Sequence, residues 1–561
     1  MRPICLAALA FLAGCASPPP ESRPPNIILI LTDDQGYGDA GFHGNDQIRT
    51  PNLDQLAAES VELTRFYVEP VCAPTRATLM TGRYYYRSGI VHTSRGGAKM
   101  HGEEITIAEM LRDAGYKTGH FGKWHMGDAY PMRPIDQGFD ESIWHKSGGI
   151  GQTPDIPNDY FDPHLWRGGE SFQGKGYCTD IFFDAAIDFV DRHKDEPFFV
   201  YLPTNAPHTP LTVDDRYSQP YIDAGLDETT AKVYGMVENI DDNLAKLLAA
   251  LDESGVRDDT ILVFITDNGP QQERYTAGLR GRKAMAYEGG IRAISLWNWP
   301  RHFAPGTKSG ELSAHIDFAP TALELAGAPT ADRFDGISLA PLLLGSAGAL
   351  PDRHVVLQCH RGLRPQPYQN SALQTSRYKL VSAATTFNDE EWAQSDNPPV
   401  ELYDLQSDPG EANNLAADMP EVVADLRKSY DAWYDDVQST RDFEPGVIHL
   451  GSEHEDSTVL SRYQDSTYVE GRPTTWGVEI ESAGRYEFRV RRDADDSAGV
   501  MHVEVNGARQ SQPFDAGEAA AEFDIPAGPA RLDVWTQAPG QDRHLTTDNS
   551  PEGNVTVRLL N

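Results

Sequence analysis

Two continuous apolar runs constrain this chain more than any other feature: Asn26–Thr32 (N-I-I-L-I-L-T) and Thr260–Thr266 (T-I-L-V-F-I-T). Neither alternates with polar residues, so each suits a strand covered on both faces, the condition found in parallel sheets flanked by helices. Each run ends in oxygen donors, Asp33-Asp34 after the first and Asp267-Asn268 after the second. Open α/β sheets bind ligands at the carboxyl ends of their strands, which places a candidate site there.

The intervening sequence supplies helices and a further strand. Thr106 caps a helix whose apolar positions Ile107, Met110, Leu111 and Ala114 follow helical spacing, and Gly115 ends it. Val233, Val237, Ile240, Leu244, Leu247, Leu248 and Leu251 form a longer stripe ending at Gly255. Phe198–Leu202 reads as a strand, with His208 following in the loop A-P-H-T-P. This alternation predicts an α/β/α sandwich over residues 26–345. A smaller α+β subdomain is expected over 346–445, with a strand at Arg377–Val381 and an amphipathic helix at Pro420–Tyr434. Short alternating strands around an Asn506-Gly507 turn predict an added β-sandwich over 451–561.

Several domains are expected, because 561 residues exceed what one core organises. The net charge of −36 opposes nucleic-acid binding, and an anionic substrate needs a local basic pocket. Met1–Cys15 has one early arginine, a short apolar stretch and Leu12-Ala13-Gly14-Cys15, too short a segment for a mature membrane span. It resembles a bacterial lipoprotein signal, which implies export and lipidation of Cys15 in the cell envelope, periplasm or outer membrane; an ordinary secretory signal is the alternative. The proline-rich stretch to residue 25 reads as a tether. Of five cysteines, Cys178 and Cys359 are the pair left to form a bridge, and spacing alone leaves that open. No C-x-x-C occurs, which disfavours zinc on thiolates.

Cys72 to Arg83 reads C-A-P-T-R-A-T-L-M-T-G-R. Pro74 marks a helix start, so Cys72 meets the unpaired N–H groups and positive dipole end that suit a nucleophile. Arg76 lies four residues on, on the same helical face. Gly122-Lys123-Trp124-His125, Ala206-Pro207-His208, Asp267-Asn268 and Lys283 ahead of Tyr287-Glu288-Gly289-Gly290 follow in order.

The C-x-P-x-R and T-G-R pattern with these stations resembles the type I, formylglycine-dependent sulfatases of the alkaline phosphatase-like superfamily, including bacterial polysaccharide and aryl sulfatases. The resemblance runs from residue 26 to about 435 and includes Glu401–Leu415. It implies conversion of Cys72 to formylglycine by a maturation enzyme and hydrolysis of a carbohydrate O-sulfate through a formylglycine-sulfate intermediate. Asp33, Asp34, Asp267 and Asn268 are hard oxygen donors suited to calcium or magnesium. The resemblance favours one calcium ion, shared with the modified Cys72. It further implies that Lys123 and Lys283 hold the sulfate, Arg76 orients the aldehyde hydrate, His208 donates a proton to the leaving oxygen and His125 acts as base. His208 thus belongs to the substrate-binding set with both lysines.

Met126 and Ala284-Met285-Ala286 depart from common family forms, and neither change removes a charge. The polar loop Ser147–Asp155 is expected to line the pocket, with His360, Arg361 and Arg364 reaching the sugar. The same nucleophile and metal also serve phosphonate monoester or phosphodiester hydrolysis, and a catalytically silent glycan-binding lipoprotein is the alternative outside enzymes.

Overall fold

The computed structural model describes residues 23–330, 332–360, 364–382, 399–466, 475–490, 498–517, 519–537 and 554–560, with the backbone alone of 468–469 and 472–473. A ten-stranded mixed sheet contains strands β1 (Asn26–Thr32), β2 (Val61–Leu63), β3 (Lys117–Lys123), β4 (Glu141–His145), β5 (His164–Arg167), β6 (Glu170–Gln173), β7 (Phe198–Pro203), β8 (Thr260–Thr266), β9 (Ser295–Asn298) and β10 (Thr307–Ser309). Their spatial order is β10-β2-β9-β8-β1-β7-β3-β4-β5-β6. The apolar run in β1 takes the centre, parallel to β7 on one side and β8 on the other. Its register runs from Asn26 opposite Thr260 to Thr32 opposite Thr266, so Asp33 and Asp267 leave the sheet side by side.

Both faces of β1 are covered, which explains why it has no polar alternation. Ile27, Leu29 and Leu31 enter one apolar cluster; Ile28 and Ile30 enter the other. The first cluster receives helices α1 (Cys72–Thr81) and α2 (Ile107–Asp113), the second α3 (Cys178–His193) and α4 (Glu228–Glu253). Burying each such aliphatic side chain stabilises the fold by roughly 1.5–3 kcal/mol. Thr106 accepts from Glu109 N–H while the Glu109 carboxylate accepts from Thr106 N–H, a reciprocal cap that starts α2.

A four-stranded antiparallel sheet, Val355–Gln358, Ser371–Gln374, Tyr378–Ser382 and Glu401–Asp404, packs beside this layer with helix α5 (Pro420–Arg441). The strand expected at Arg377–Val381 begins one residue later, and α5 runs seven residues beyond Tyr434 because Tyr430, Trp433, Tyr434 and Val437 continue its buried face. Toward the C-terminus, five- and four-stranded sheets share one apolar cluster that includes Trp476, Phe488, Leu532 and Val557. Asn506 and Gly507 both have positive φ, 50° and 84°, as the expected tight turn requires.

The sandwich is joined to the large α/β layer by apolar and polar contacts. Ala129 and Met132 enter its apolar cluster, His449 N–H donates to Tyr130 O at 3.0 Å, and Arg133 donates to His454 O at 2.9 Å. Asp128 is buried beside this junction. Burial, followed by the charges of Asp465 and Asp155 against Lys146 and the Ser147 N–H, raises its pKa to about 8. An acid whose folded pKa is raised contributes stability at low pH that is lost as pH rises through the folded value. Melting temperature should therefore fall between about pH 4 and pH 8 and level off above, and Asp128→Asn should flatten that decline in differential scanning fluorimetry.

Candidate active site

Four strand ends and one helix start converge above β1. Asp33 and Asp34 follow β1, Lys123 ends β3, the loop to His208 follows β7, and Asp267 and Asn268 follow β8. Asp34 has φ 65°, a left-handed conformation that turns its carboxylate back over the sheet edge. Its N–H donates to Asp267 Oδ1 at 3.2 Å, and Asn268 Nδ2 donates to Asp34 Oδ1 at 2.8 Å. Two adjacent strands thus lock their donor sets together.

Three carboxylates are matched by three cations. Lys123 pairs with Asp33, Lys283 Nζ lies 2.5 Å from Asp34 Oδ1, and Arg76 donates to Asp267 Oδ2 at 2.8 Å. Arg76 also lies 3.6 Å from Asp33 and donates to Lys123 O at 2.9 Å. Burial alone would raise the Asp33 pKa, but Lys123, His208, Arg76 and Lys283 hold it well below the usual range. Burial and the nearby Asp33 charge push Asp267 up, against Arg76. Burial opposes the charged form of Lys283, yet Asp34 raises its pKa.

Cys72 is the first residue of α1, with Val71 as N-cap. The helix therefore starts two residues before Pro74, whose missing N–H falls among the first-turn groups that have no helical partner. Cys72 Sγ lies 3.3 Å from His125 Nδ1. His125 Nε2 is 2.8 Å from Thr93 O, and a carbonyl only accepts, so Nε2 bears the proton and Nδ1 turns a lone pair toward sulfur. Burial, then the Lys123 charge, holds the His125 pKa well below 6.5. By the same reasoning His208 Nδ1 donates to Thr209 O at 2.7 Å, and its Nε2 faces Asp34 Oδ2 at 3.9 Å. Burial and then Lys283 lower the His208 pKa to about 4, so its ring is neutral near pH 7.

The loop Ser147–Asp155 does border these imidazoles. A Cβ at Gly148 would stand 2.6 Å from the His125 ring, and one at Gly149 would stand 3.1 Å from His208 Nδ1. The two glycines are the space both rings occupy.

A cation fits the oxygen donors. Asp33 Oδ1, Asp34 Oδ2 and Asn268 Oδ1 are buried without a hydrogen-bond partner, a costly arrangement unless a positive charge satisfies them. Among the described residues, Asp33, Asp34 and His208 also form a compact group whose ligand atoms lie within 4.8 Å of one another. Asp267 is different: both its oxygens already accept hydrogen bonds, from Asp34 N–H and Arg76.

His360 is buried, with its Nδ1 3.3 Å from the Tyr86 phenol Oη and its ring edge-on to His92 at 6.4 Å. Arg364 is instead exposed, paired with Asp442 at 2.6 Å, since the aspartate at the C-terminus of α5 offers a nearer partner than the site. Cys178 and Cys359 are both buried and form no disulfide bridge. Cys15 and Arg361 lie outside the described residues. Thr93 and Asp128 escaped the sequence reading: one acts through a backbone carbonyl, which no side-chain pattern reports, and the other through Ser147 N–H at 2.7 Å.

Residues 25–328 match the sulfatase family model, and residues 281–434 match that of the N-sulphoglucosamine sulphohydrolase C-terminal region. The chain belongs to the sulfatase family. This sulfatase is 33% identical to human arylsulfatase A over 479 residues, covering 75% of the chain and 89% of that protein. It is 34% identical to human N-acetylgalactosamine-6-sulfatase over 364 residues, covering 59% and 68% respectively. Its fold is similar to that of Ps i-CgsB crystallised with k-i-k-neocarrahexaose, with TM-score 0.66 and 29% identity over 75% of this chain and 94% of that one. The sulfatase is a sulfuric ester hydrolase of mixed α/β fold.

For the cation fit, titration of chelator-treated sulfatase with calcium or magnesium, in separate arms, should raise its melting temperature with at least one of them. Asn268→Leu, which removes one unpartnered oxygen and leaves the three carboxylates, should weaken binding of that cation at least about tenfold by isothermal titration calorimetry.

Proposed function

We propose that this sulfatase removes O-sulfate from a sulfated polysaccharide or oligosaccharide, with Cys72 converted to formylglycine and one calcium ion held by Asp33, Asp34, Asp267 and Asn268 together with residue 72. The observation that supports this most strongly is the Cys72 sulfur facing the unprotonated Nδ1 of His125 within a charge-balanced pocket. A hydrated aldehyde at position 72 supplies the nucleophilic hydroxyl, and calcium supplies electrostatic stabilisation of anionic oxygen.

The chain's own groups take the remaining roles. Lys123 and Lys283 are positioned to hold sulfate oxygens as they exchange part of their pairing with Asp33 and Asp34 for the ligand. Arg76 orients residue 72 from the next helical turn. His125 Nδ1 takes a proton at residue 72, and His208 Nε2 delivers one to the leaving oxygen once the sulfate charge offsets Lys283. His360 and Arg361 contribute to sugar binding. The glycan assignment draws on the names of the relatives, and phosphodiester or phosphonate monoester hydrolysis is the competing chemistry for the same pocket.

We assign residues 26–345 to the catalytic domain, 346–445 to its α+β subdomain and 451–561 to an accessory sandwich. Residues 1–25 act as lipoprotein signal and tether, with Cys15 lipidated, which anchors the exported enzyme in the bacterial cell envelope. Among the described residues no helix is long and apolar enough to cross a membrane. Cys15→Ala should move the protein from the membrane fraction to the soluble fraction on cell fractionation.

The central test joins mass spectrometry of the peptide spanning Val71 to Arg83 with sulfate release from a panel of sulfated glycans. The expected result is a formyl group at residue 72 and loss of sulfate release by at least about a thousandfold in Cys72→Ala. An active enzyme with only unmodified thiol refutes the mechanism, and faster turnover of a phosphodiester with the same leaving group refutes the substrate class.

A further inference from the structure

The C-terminal sandwich lies beyond the residues matched to the family, yet one of its turns reaches the catalytic pocket. This turn, Ser461 to Ser466, is rigid by construction. Ser461 Oγ accepts from Gln464 N–H at 3.2 Å, and Ser461 N–H donates to Asp465 Oδ2 at 2.8 Å. The Arg462 guanidinium lies 4.4 Å over the Trp476 ring and pairs with Asp533 at 3.2 Å, tying the turn to the sandwich core.

From this base the turn holds two loops of the catalytic layer. Arg95 N–H donates to Tyr463 O at 2.9 Å, Gly96 N–H to Gln464 O at 2.7 Å, and Lys99 Nζ to Asp465 O at 3.0 Å. The loop so held contains Thr93, whose carbonyl fixes the proton on His125 Nε2. On the other side, Gln464 Nε2 donates to Ser147 Oγ and to Gln152 Oε1 at 3.3 Å. Ser461 Oγ bonds Thr153 Oγ1, and Asn554 Nδ2 donates to Pro154 O at 3.2 Å. This second loop lays Gly148 against His125 and Gly149 against His208. Gln464 and Asp465 share a small cavity with His125, Asp128 and Ser147.

Domain packing alone would be satisfied by the apolar contacts of Ala129 and Met132. The polar contacts of the turn go instead to the two loops that touch the imidazoles, and they are buried, where hydrogen bonds define geometry most strictly. We propose that the turn Ser461–Ser466 is a positioning element of the sulfatase site, holding Thr93 so that His125 keeps its Nδ1 lone pair toward residue 72, and holding the Ser147–Pro154 loop as the wall of the glycan pocket. The first part rests on the reading of His125 as base. The second concerns substrate fit and stands apart from it.

The test uses the full-length enzyme from the host that matures it, assayed with p-nitrophenyl sulfate and with a sulfated oligosaccharide that the wild type turns over. Position 72 is checked for equal conversion in every variant. At Gly96, where φ is 80°, an added Cβ would stand 2.9 Å from Ser466 O. Gly96→Ala should therefore lower kcat about tenfold or more on both substrates, as misplacement of a catalytic group does. Gln464→Met keeps the side-chain volume and removes the amide donors. It should raise KM for the oligosaccharide about fivefold, with kcat on p-nitrophenyl sulfate within about twofold of wild type.

Phe523→Ala, in the sandwich core on the edge strand Ala519–Ile525 at the far side of the sheet from the strand that leads into the turn, serves as the control for mere destabilisation. It should lower the melting temperature while leaving KM for the oligosaccharide unchanged. Wild-type kinetics in both Gly96→Ala and Gln464→Met overturn the proposal. So does a wild-type KM in Gln464→Met alongside a raised KM in Gln464→Ala, which would mark packing alone, or a Phe523→Ala enzyme that reproduces the same changes. Full activity in His125→Ala overturns the base assignment and the Thr93 part with it, whereas the Gln464 result on KM is read independently.

Discussion

The buried balance of three carboxylates against three cations is the interaction on which the pocket depends. Asp33, Asp34 and Asp267 could not remain together under the sheet edge without Arg76, Lys123 and Lys283, because uncompensated buried charge costs several kcal/mol per ion. The balance is a poor source of net stability, since desolvation offsets most of the attraction. What it provides is a set of charges already stripped of water and fixed in place, ready to accept a dication and an anion as a pair. On the proposed reading, binding calcium and a singly charged sulfate ester exchanges partners within the pocket, the anion offsetting part of the charge that the cation brings.

The arrangement follows from the register of β1 with β8. Because Thr32 faces Thr266, the residues after them meet without any long loop, and two sequence stations more than two hundred residues apart become neighbours. This part of the site was legible in the sequence: the apolar runs announced central strands, and the donors at their ends marked the edge where ligands bind. Cys72, Arg76, Lys123, His125, His208 and Lys283 also surround the same point. Their order along the chain identified them, whereas no local periodicity could have.

Other features depend on contacts that leave no local trace. The proton on His125 is placed by a backbone carbonyl, and Thr93 is chemically interchangeable with many residues in that respect. Gln464 reaches Ser147 across more than three hundred residues, from a domain whose alternating strands suggested only a sandwich. Arg364 looked available for a sugar until α5 proved to extend to Arg441, bringing Asp442 within reach. Gly148 and Gly149 read as flexible loop residues, while their actual contribution is the volume they leave for two imidazoles. Left-handed φ at Asp34, His125 and Ser147 likewise concentrates strain around the pocket, where surrounding contacts maintain it.

Helix α1 is buried along its whole length, and Cys72 is only 3% exposed. Another protein cannot grip that segment once the sheet and helices have closed over it. Any enzymatic change to the Cys72 side chain therefore belongs to the interval before closure, while the chain is still extended. On the proposed reading of residue 72 as formylglycine, the order of events in biogenesis becomes part of the design: slow closure around Cys72 lengthens the opportunity for its conversion, and faster closure leaves more thiol behind.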